Sequence, residues 1–463
     1  MKRIAIIGGG LSGLTSAFYI LEKAKKLNVQ IEITILEKNN RIGGKINSIQ
    51  QDGYLCEYGP NGFLDSKPLT LELCKKLGLE HDLLKSNDNA RKRFIVDNNQ
   101  LFKLPHNQSE FLTNKLVSWR GKLRILTEYF IKPSQQKDES VASFVHRRLG
   151  QEALDKLITP MSSGIYAGNP EAMSLAACFP RMKQLEDKFG GLFKAMFALK
   201  KERKNSNSKT SFAPSGVLTS FKNGIAVLTN KLAENIGYEK IHLGVEVSGI
   251  QKIQSQWNIK YAKDGSANTL LVDELIIATP AYVAADLVNE FDDKLSALLN
   301  KIKYSPLSVV CLGFDLSKLN CDVNGFGYLF TQNNDNKFVL GTLWDSSIFI
   351  NRAPDGKILF RSMLGGAINL DILNLTNEEL INNTQNSLKQ VLGITEQPEF
   401  SQVFNHKYAI PQYNVGHLDL VSQIEQHVIQ NHMGLHLTGN AYRGIGINDC
   451  IENSHKLAEA MSI

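Results

Sequence analysis

Gly8-Gly9-Gly10-Leu11-Ser12-Gly13 sets glycines in a Gly-x-Gly-x-x-Gly turn, and Glu37 follows at the end of a second apolar run. Residues of these types at this spacing can bind a dinucleotide. Gly8 permits a tight turn, Gly10 lets backbone approach a pyrophosphate, and Gly13 lets a helix pack close to a strand. The phosphates would sit at the helix N-terminus, while Glu37 would hydrogen-bond a ribose hydroxyl and disfavour a 2′-phosphate. Arg41-Ile42-Gly43-Gly44-Lys45 and Glu57-Tyr58-Gly59-Pro60-Asn61-Gly62 add further close backbone approaches, which suit a ligand as long as FAD. Near the C-terminus, Leu435 to Ile451 reads as strand, Gly-rich loop and closing helix. The positive end of that helix, aimed at a flavin's pyrimidine edge, would stabilise the anionic reduced form.

The elements that must hold these turns are legible around them. Ile4 to Ile7 reads as a strand buried on both faces. Leu14, Ala17, Phe18 and Leu21 form one helical stripe, and Ile31 to Leu36 is a second strand. An apolar helix resumes at Gly224 to Leu228, followed by strands at Ile241 to Ile250 and Leu270 to Thr279. His81 to Pro180 reads as helical, with caps and breaks at Pro105, Pro133 and Pro160. Phe291 to His406 alternates in strand fashion around Val309 to Phe314 and Lys357 to Arg361, with one helix at Glu378 to Leu392. Lys200 to Ser215 reads as a mobile loop. The expected fold is α/β and α+β: a Rossmann-type FAD-binding domain built from discontinuous segments (1–70, 220–288 and 408–463), a mixed-sheet substrate domain (71–83, 185–219 and 289–407) and a helical insertion (84–184).

The chain has 463 residues, and its 52 basic against 46 acidic residues leave a charge of +6, too mild for a nucleic-acid partner but compatible with an anionic substrate or membrane surface. Apolar stretches are strand-sized, so no spanning helix is expected. Met1-Lys2-Arg3 leads straight into a core strand, so no cleavable signal is expected either. The six cysteines lack metal-ligand spacing, which fits a reducing compartment and no metal. No Ser-His-Asp or Cys-His arrangement is seen. Trp119, Leu123, Leu126 and Phe130 share a helical face ringed by Lys115, Arg120, Lys122 and Arg124. This is either a helix lying on an anionic membrane or a packed helix with a solvated basic side.

Seen together with Thr159-Pro160-Met161-Ser162-Ser163-Gly164-Ile165-Tyr166-Ala167-Gly168-Asn169, Ile276 to Ala281 and Ile410-Pro411-Gln412-Tyr413-Asn414-Val415-Gly416-His417, the chain resembles the porphyrinogen oxidases of haem synthesis. These are flavoproteins of the amine oxidase and phytoene desaturase superfamily, and the pattern is most similar to the soluble bacterial type that acts on coproporphyrinogen III. The two ends are shared across the superfamily; the Ser-Gly-Ile-Tyr-Ala-Gly and Pro-Gln-Tyr-x-x-Gly-His segments point to porphyrinogen oxidases.

The resemblance implies FAD-dependent oxidation of coproporphyrinogen III, protoporphyrinogen IX or both, by repeated hydride transfer to flavin. Dioxygen would be the acceptor, giving hydrogen peroxide. It implies a cytoplasmic enzyme, or one peripheral on the inner face of the cell membrane, that hands its product to another enzyme of the haem pathway. Noncovalent FAD would be held by Gly8, Gly9, Gly10, Leu11, Ser12, Gly13, Glu37, Lys38, Arg41, Gly44, Lys45, Gly59, Pro60, Asn61, Gly62, Val247, Gly439, Ile445, Gly446 and Ile447. Lys67 would meet a propionate, with a solvated surface lysine as the competing reading. Gly164 would bring backbone near the macrocycle and Tyr166 would line the pocket. Tyr413 and His417 would order the loop beside the flavin, and no side chain is assigned the chemistry, since the cofactor carries it. His455 stands where relatives commonly carry glycine. Two alternatives stay open: a flavin amine oxidase with Tyr408, Tyr413 and Tyr442 as an aromatic cage, and a non-catalytic binding protein of the Rab-escort type.

Overall fold

The computed structural model describes residues 1–87, 91–105, 107–205, 216–332 and 337–463. At its centre is a five-stranded parallel sheet, in spatial order Ile241–His242, Ile31–Leu36, Lys2–Ile7, Glu274–Ile277 and Leu435–Leu437. The first strand alternates between two cores, as a strand covered on both faces must. Ile4 and Ile6 pack with Leu14, Leu228 and Ile451 from helices Leu11–Leu27, Ala226–Ile236 and Ile447–Ala460. Ala5 and Ile7 face the other way, toward Ile259, Leu295 and Val421.

Two expected strands are each divided. The stretch from Ile241 ends at His242, turns at Gly244 (φ +66°), and resumes as Glu246–Ile253 in a separate antiparallel sheet with Gln256–Lys263 and Ser266–Val272. Likewise, Leu270 to Thr279 divides at Asp273. The Asp273 amide donates to the Arg3 carbonyl, and its carboxylate accepts from the Arg3 amide and from Gln256. These bonds turn the chain from one sheet into the other.

The second large sheet has seven strands in the order Phe400–Pro411, Tyr304–Asp315, Lys357–Gly365, Val339–Trp344, Gly327–Phe330, Arg93–Asp97 and Gln100–Lys103. It is mixed, because Gly327–Phe330 runs parallel to Arg93–Asp97 while its other pairs are antiparallel. Helix Asn377–Leu392 covers it, started by a Thr376/Glu379 capping box and stopped at Gly393 (φ +70°), both standard terminal devices.

Residues 93–103 were expected to be helical. They form a hairpin whose two-residue turn is Asn98-Asn99, both with positive φ (48° and 62°), the geometry that asparagine tolerates. Helices dominate only from Asn107 onward: Trp119–Leu126, Val141–Leu149, Thr159–Tyr166, Pro180–Phe189 and Leu192–Asn205. Pro160 does not break the chain there; a π-helical stretch, Leu154–Ile158, leads without interruption into the helix that carries it. Of the expected loop 200–215, residues 200–205 finish a helix and 206–215 lie outside the described residues.

Candidate functional site

The nucleotide turn is built as its glycines require. Gly8 has φ +109° and donates to the Leu36 carbonyl (2.8 Å). A Cβ at Gly13 would lie 2.0 Å from the Gly8 carbonyl oxygen, so the helix can approach the strand only with glycine there. Gly10, with φ −76° and ψ 178°, is the N-cap of helix Leu11–Leu27. Its situation is different: a Cβ there would meet only the Gly44 Cα, at 3.9 Å. Gly44 faces back, its own Cβ position lying 3.3 Å from the Gly10 Cα. The second glycine turn is tied on by Gly43 N–H donating to the Gly9 carbonyl (2.8 Å). The two glycine turns therefore lie backbone against backbone at a helix N-terminus, whose free N–H groups and positive dipole end suit a pyrophosphate.

Glu37 is buried beside this turn. One carboxylate oxygen accepts from the Gly9 amide (2.7 Å) and the other from the Asn39 amide (2.8 Å). Val245 N–H donates to the Glu37 carbonyl (2.9 Å), which lays the backbone leading to Val247 along the acid. Lys38 points outward to Glu246 (2.7 Å), both groups exposed. Arg41 donates to the Gly44 carbonyl (2.7 Å) and its guanidinium lies over the Tyr58 ring. The Lys45 ammonium donates to the carbonyls of Tyr408 and Ala409, and burial lowers its pKa to about 8.

The Tyr58–Gly62 loop rests on a buried set of charges. Arg361 donates to the Gly59 carbonyl (2.8 Å) and pairs with Asp345 (2.9 Å). Asp345 accepts from the Asn61 amide (3.2 Å). Beside them Arg352 pairs with Glu57 (3.4 Å), which also accepts from Ser48 and the Ile225 amide. All four charged side chains are inaccessible or nearly so. Burial pushes the Asp345 carboxyl up, against the pull of Arg361 and Arg352. The Asn61 Oδ1 atom is buried without a hydrogen-bond partner. A Cβ at Gly59 would lie 2.4 Å from the Lys45 carbonyl oxygen, and one at Gly62 2.4 Å from that of Thr219; the loop is too close to its neighbours for any other residue. Pro60 between them is exposed. None of Asp345, Arg352 and Arg361 was singled out from sequence. The available signal was an arginine inside the apolar run Ile358-Leu359-Phe360-Arg361.

From the C-terminal side, Gly439 (φ +136°) follows strand Leu435–Leu437, and helix Ile447–Ala460 begins with Gly446 as N-cap. The loop between them is held by the Tyr413 hydroxyl donating to the Asn440 carbonyl (2.6 Å) and by His417 Nε2 against the Tyr442 carbonyl (2.9 Å). The Tyr413 and His417 rings stack at 3.9 Å, and burial lowers the His417 pKa. Ser454 donates to the Ser12 carbonyl (3.0 Å), so the two helices that start at the cofactor turns run side by side, with Ile447 buried in the same core as Leu11. Ile445 packs instead with Tyr413 and Tyr166. His455 meets Tyr19 edge-on at 4.6 Å, so its packing partner is the first helix.

On the substrate side, Gly164 is exposed on helix Thr159–Tyr166, and a Cβ there would lie 2.8 Å from Leu329 of the seven-stranded sheet. Tyr166, expected to line the pocket, is buried at 8% exposure with its hydroxyl donating to the Cys178 carbonyl (2.8 Å). Its hydroxyl is therefore spent within the helical region, on packing. Lys67 is half-exposed and pairs with Glu452 (3.3 Å) on the closing helix, an exposed pair worth about 0–1 kcal/mol. The tyrosines considered as a cage have other neighbours: Tyr408 lies 4.5 Å from Tyr282, and Tyr413 stacks on His417.

Facing glycine turns, a buried acid beside them, a second glycine loop tied to the mixed sheet through Arg361, and two side-by-side helices that each begin at a glycine N-cap mark one region of the fold. That combination defines a flavin-dependent oxidoreductase. The chain belongs to the flavin-containing amine oxidoreductase family, whose profile matches residues 11–462, and its cofactor is FAD. It is 31% identical to the coproporphyrinogen III oxidase of Bacillus subtilis, over 97% of this chain and 96% of that one. It is also 31% identical to the chloroplastic protoporphyrinogen oxidase 1 of Spinacia oleracea, over 98% and 83%. Among solved structures, a candidate protoporphyrinogen oxidase of Exiguobacterium superposes with a TM-score of 0.84 at 24% identity, covering 99% and 98%. Cyclohexylamine oxidase of Brevibacterium oxydans gives 0.68 at 15%, covering 99% and 98%.

Proposed function

We propose that this protein oxidises a porphyrinogen, coproporphyrinogen III or protoporphyrinogen IX, to the porphyrin in haem biosynthesis, with dioxygen as the acceptor and hydrogen peroxide as by-product. The observation that carries this reading is the full-length likeness to a named coproporphyrinogen III oxidase. Bound FAD supplies the hydride acceptor. The residues of the chain orient and shelter. Gly59 and Asn61 present a backbone edge and a buried amide oxygen, held from below by Arg361 and Asp345. Gly164, exposed and packed against Leu329, would offer a flat ring the open side of its backbone. Lys67 reaches a propionate by giving up Glu452, and its half-exposed position makes that exchange inexpensive.

Parallel turnover of both porphyrinogens in air, with and without added NAD, tests the reading. Fluorescent porphyrin and peroxide should form without a nicotinamide cofactor. Lys67→Ala should raise KM more than it lowers kcat, and more for the substrate with more propionates, because the contact is made in ground and transition states alike. Oxidation of amines with no turnover of either porphyrinogen would overturn it.

The same proposal places the enzyme in the cytoplasm and against the inner membrane surface. No helix among the described residues is long and apolar enough to cross a membrane. Trp119, Leu123, Leu126 and Phe130 are 66%, 62%, 54% and 79% exposed, an uncovered apolar face of the kind that marks an interaction surface. The basic ring around it is smaller than expected. Lys122 is buried with its ammonium on the Leu112 and Asn114 carbonyls, and Arg124 caps the carbonyls of 146–148. Lys115 and Arg120 remain exposed. Wild-type protein should co-sediment with phosphatidylglycerol vesicles, and a Trp119→Ala/Phe130→Ala variant should lose most of that binding while keeping its flavin. Equal sedimentation of the two would refute the membrane placement.

A further inference from the structure

At the end of the parallel sheet opposite the nucleotide turns, just before strand Leu435–Leu437, three side chains from distant parts of the chain meet. Asp292 is the N-cap of helix Asp293–Leu299, and its Oδ1 accepts from the Leu295 amide (2.8 Å). Its Oδ2 faces the Nε2 atoms of both His427 (2.6 Å) and His432 (2.5 Å). His427 lies in the last turns of helix His417–Asn431 and His432 is that helix's C-cap. The three ligand-type atoms all lie within 4.8 Å of one another.

We propose that Asp292, His427 and His432 form a binding site for a divalent transition metal of the Zn2+ class. Two imidazole nitrogens and one carboxylate oxygen are the donor set such ions take, at about 2.0–2.2 Å each. Contacts of 2.5 and 2.6 Å are at or below the short end of ordinary N–H···O bonds, about 2.7 Å. Slight opening of the side chains would let one ion replace both contacts. The donors are held on rigid helix ends, so little ordering remains to be done on binding. Their side chains are 11–14% exposed, sheltered yet open to a water as a further ligand. The rings of Phe291 and Trp257 flank His432 at 5.2 and 6.1 Å, giving the site an apolar wall. Because the site clamps helix Asp293–Leu299 to the segment entering the last parallel strand, its role is to staple the nucleotide domain, remote from the flavin.

The test uses FAD-loaded protein stripped with chelator and titrated with ZnCl2 by calorimetry, alongside thermal melts. One Zn2+ per chain should bind saturably and raise the Tm, since a ligand that binds only the folded state stabilises it. Asp292→Asn keeps an N-cap oxygen and so should fold, yet it should bind Zn2+ at least tenfold more weakly, as should His427→Ala. Flavin content should be the same in all. Failure of the wild type to bind stoichiometric Zn2+, or undiminished binding in both variants, would overturn the site and leave a carboxylate bridging two histidines. Neither result touches the porphyrinogen reading.

Discussion

Gly10→Val is expected to give a folded protein that retains no FAD. Gly10 has a backbone conformation open to any residue, and a Cβ there meets only the Gly44 Cα at 3.9 Å. Valine as N-cap costs the apo protein about 1 kcal/mol. The branched side chain would, however, crowd the helix N-terminus at which a pyrophosphate would sit. Gly13→Ala should behave in the opposite way, because its Cβ would lie 2.0 Å from the Gly8 carbonyl oxygen in the turn after the first strand and the fold itself must shift. Flavin absorbance of the purified proteins, read beside their circular dichroism and melting curves, separates the two effects. A Gly10→Val protein carrying full flavin would show that the pyrophosphate lies elsewhere.

Asp345→Ala is expected to destabilise the protein by about 3–5 kcal/mol, the usual consequence of stranding one buried charge. Arg361 would lose its carboxylate and Asn61 the acceptor for its amide. The loop that carries Gly59 and Asn61 would lose its support in the same step, so FAD affinity should fall along with the melting temperature. Replacing both members, Asp345→Ala with Arg361→Met, should recover part of the stability because no unpaired charge is left inside. Denaturant unfolding and FAD titration of the single and double variants measure this. An Asp345→Ala protein with unchanged stability would mean that the charges are hydrated or differently paired.

The nucleotide turn, the second glycine turn and the C-terminal loop with its helix were readable from sequence because their chemistry is local. A tight turn, a close helix and a cap each depend on residues a few positions apart: Gly8 has the positive φ of a tight turn and Gly13 the close approach of helix to turn. The hairpin 93–103 had a local signal too, in Asn98-Asn99, but it was outweighed by the helical reading of the whole stretch from His81 to Pro180. The division at Asp273 had none: its reason is a pair of hydrogen bonds to Arg3, 270 positions earlier in the chain.

By itself the sequence determined the cofactor class, the parallel nucleotide sheet and the discontinuous assembly around it, since glycine conformation and apolar periodicity act within one element. Tertiary structure alone decided which charges are buried and with whom. It set Arg361 against Asp345 and Asn61, gave the Tyr166 hydroxyl to Cys178, drew Lys122 inside while leaving Trp119 and Phe130 outside, and gathered Asp292 with two histidines. Each of those outcomes turns on desolvation and pairing between residues far apart in the chain, and the strength of a charge or a hydrogen bond is fixed by its surroundings, which exist only once the sheets have packed.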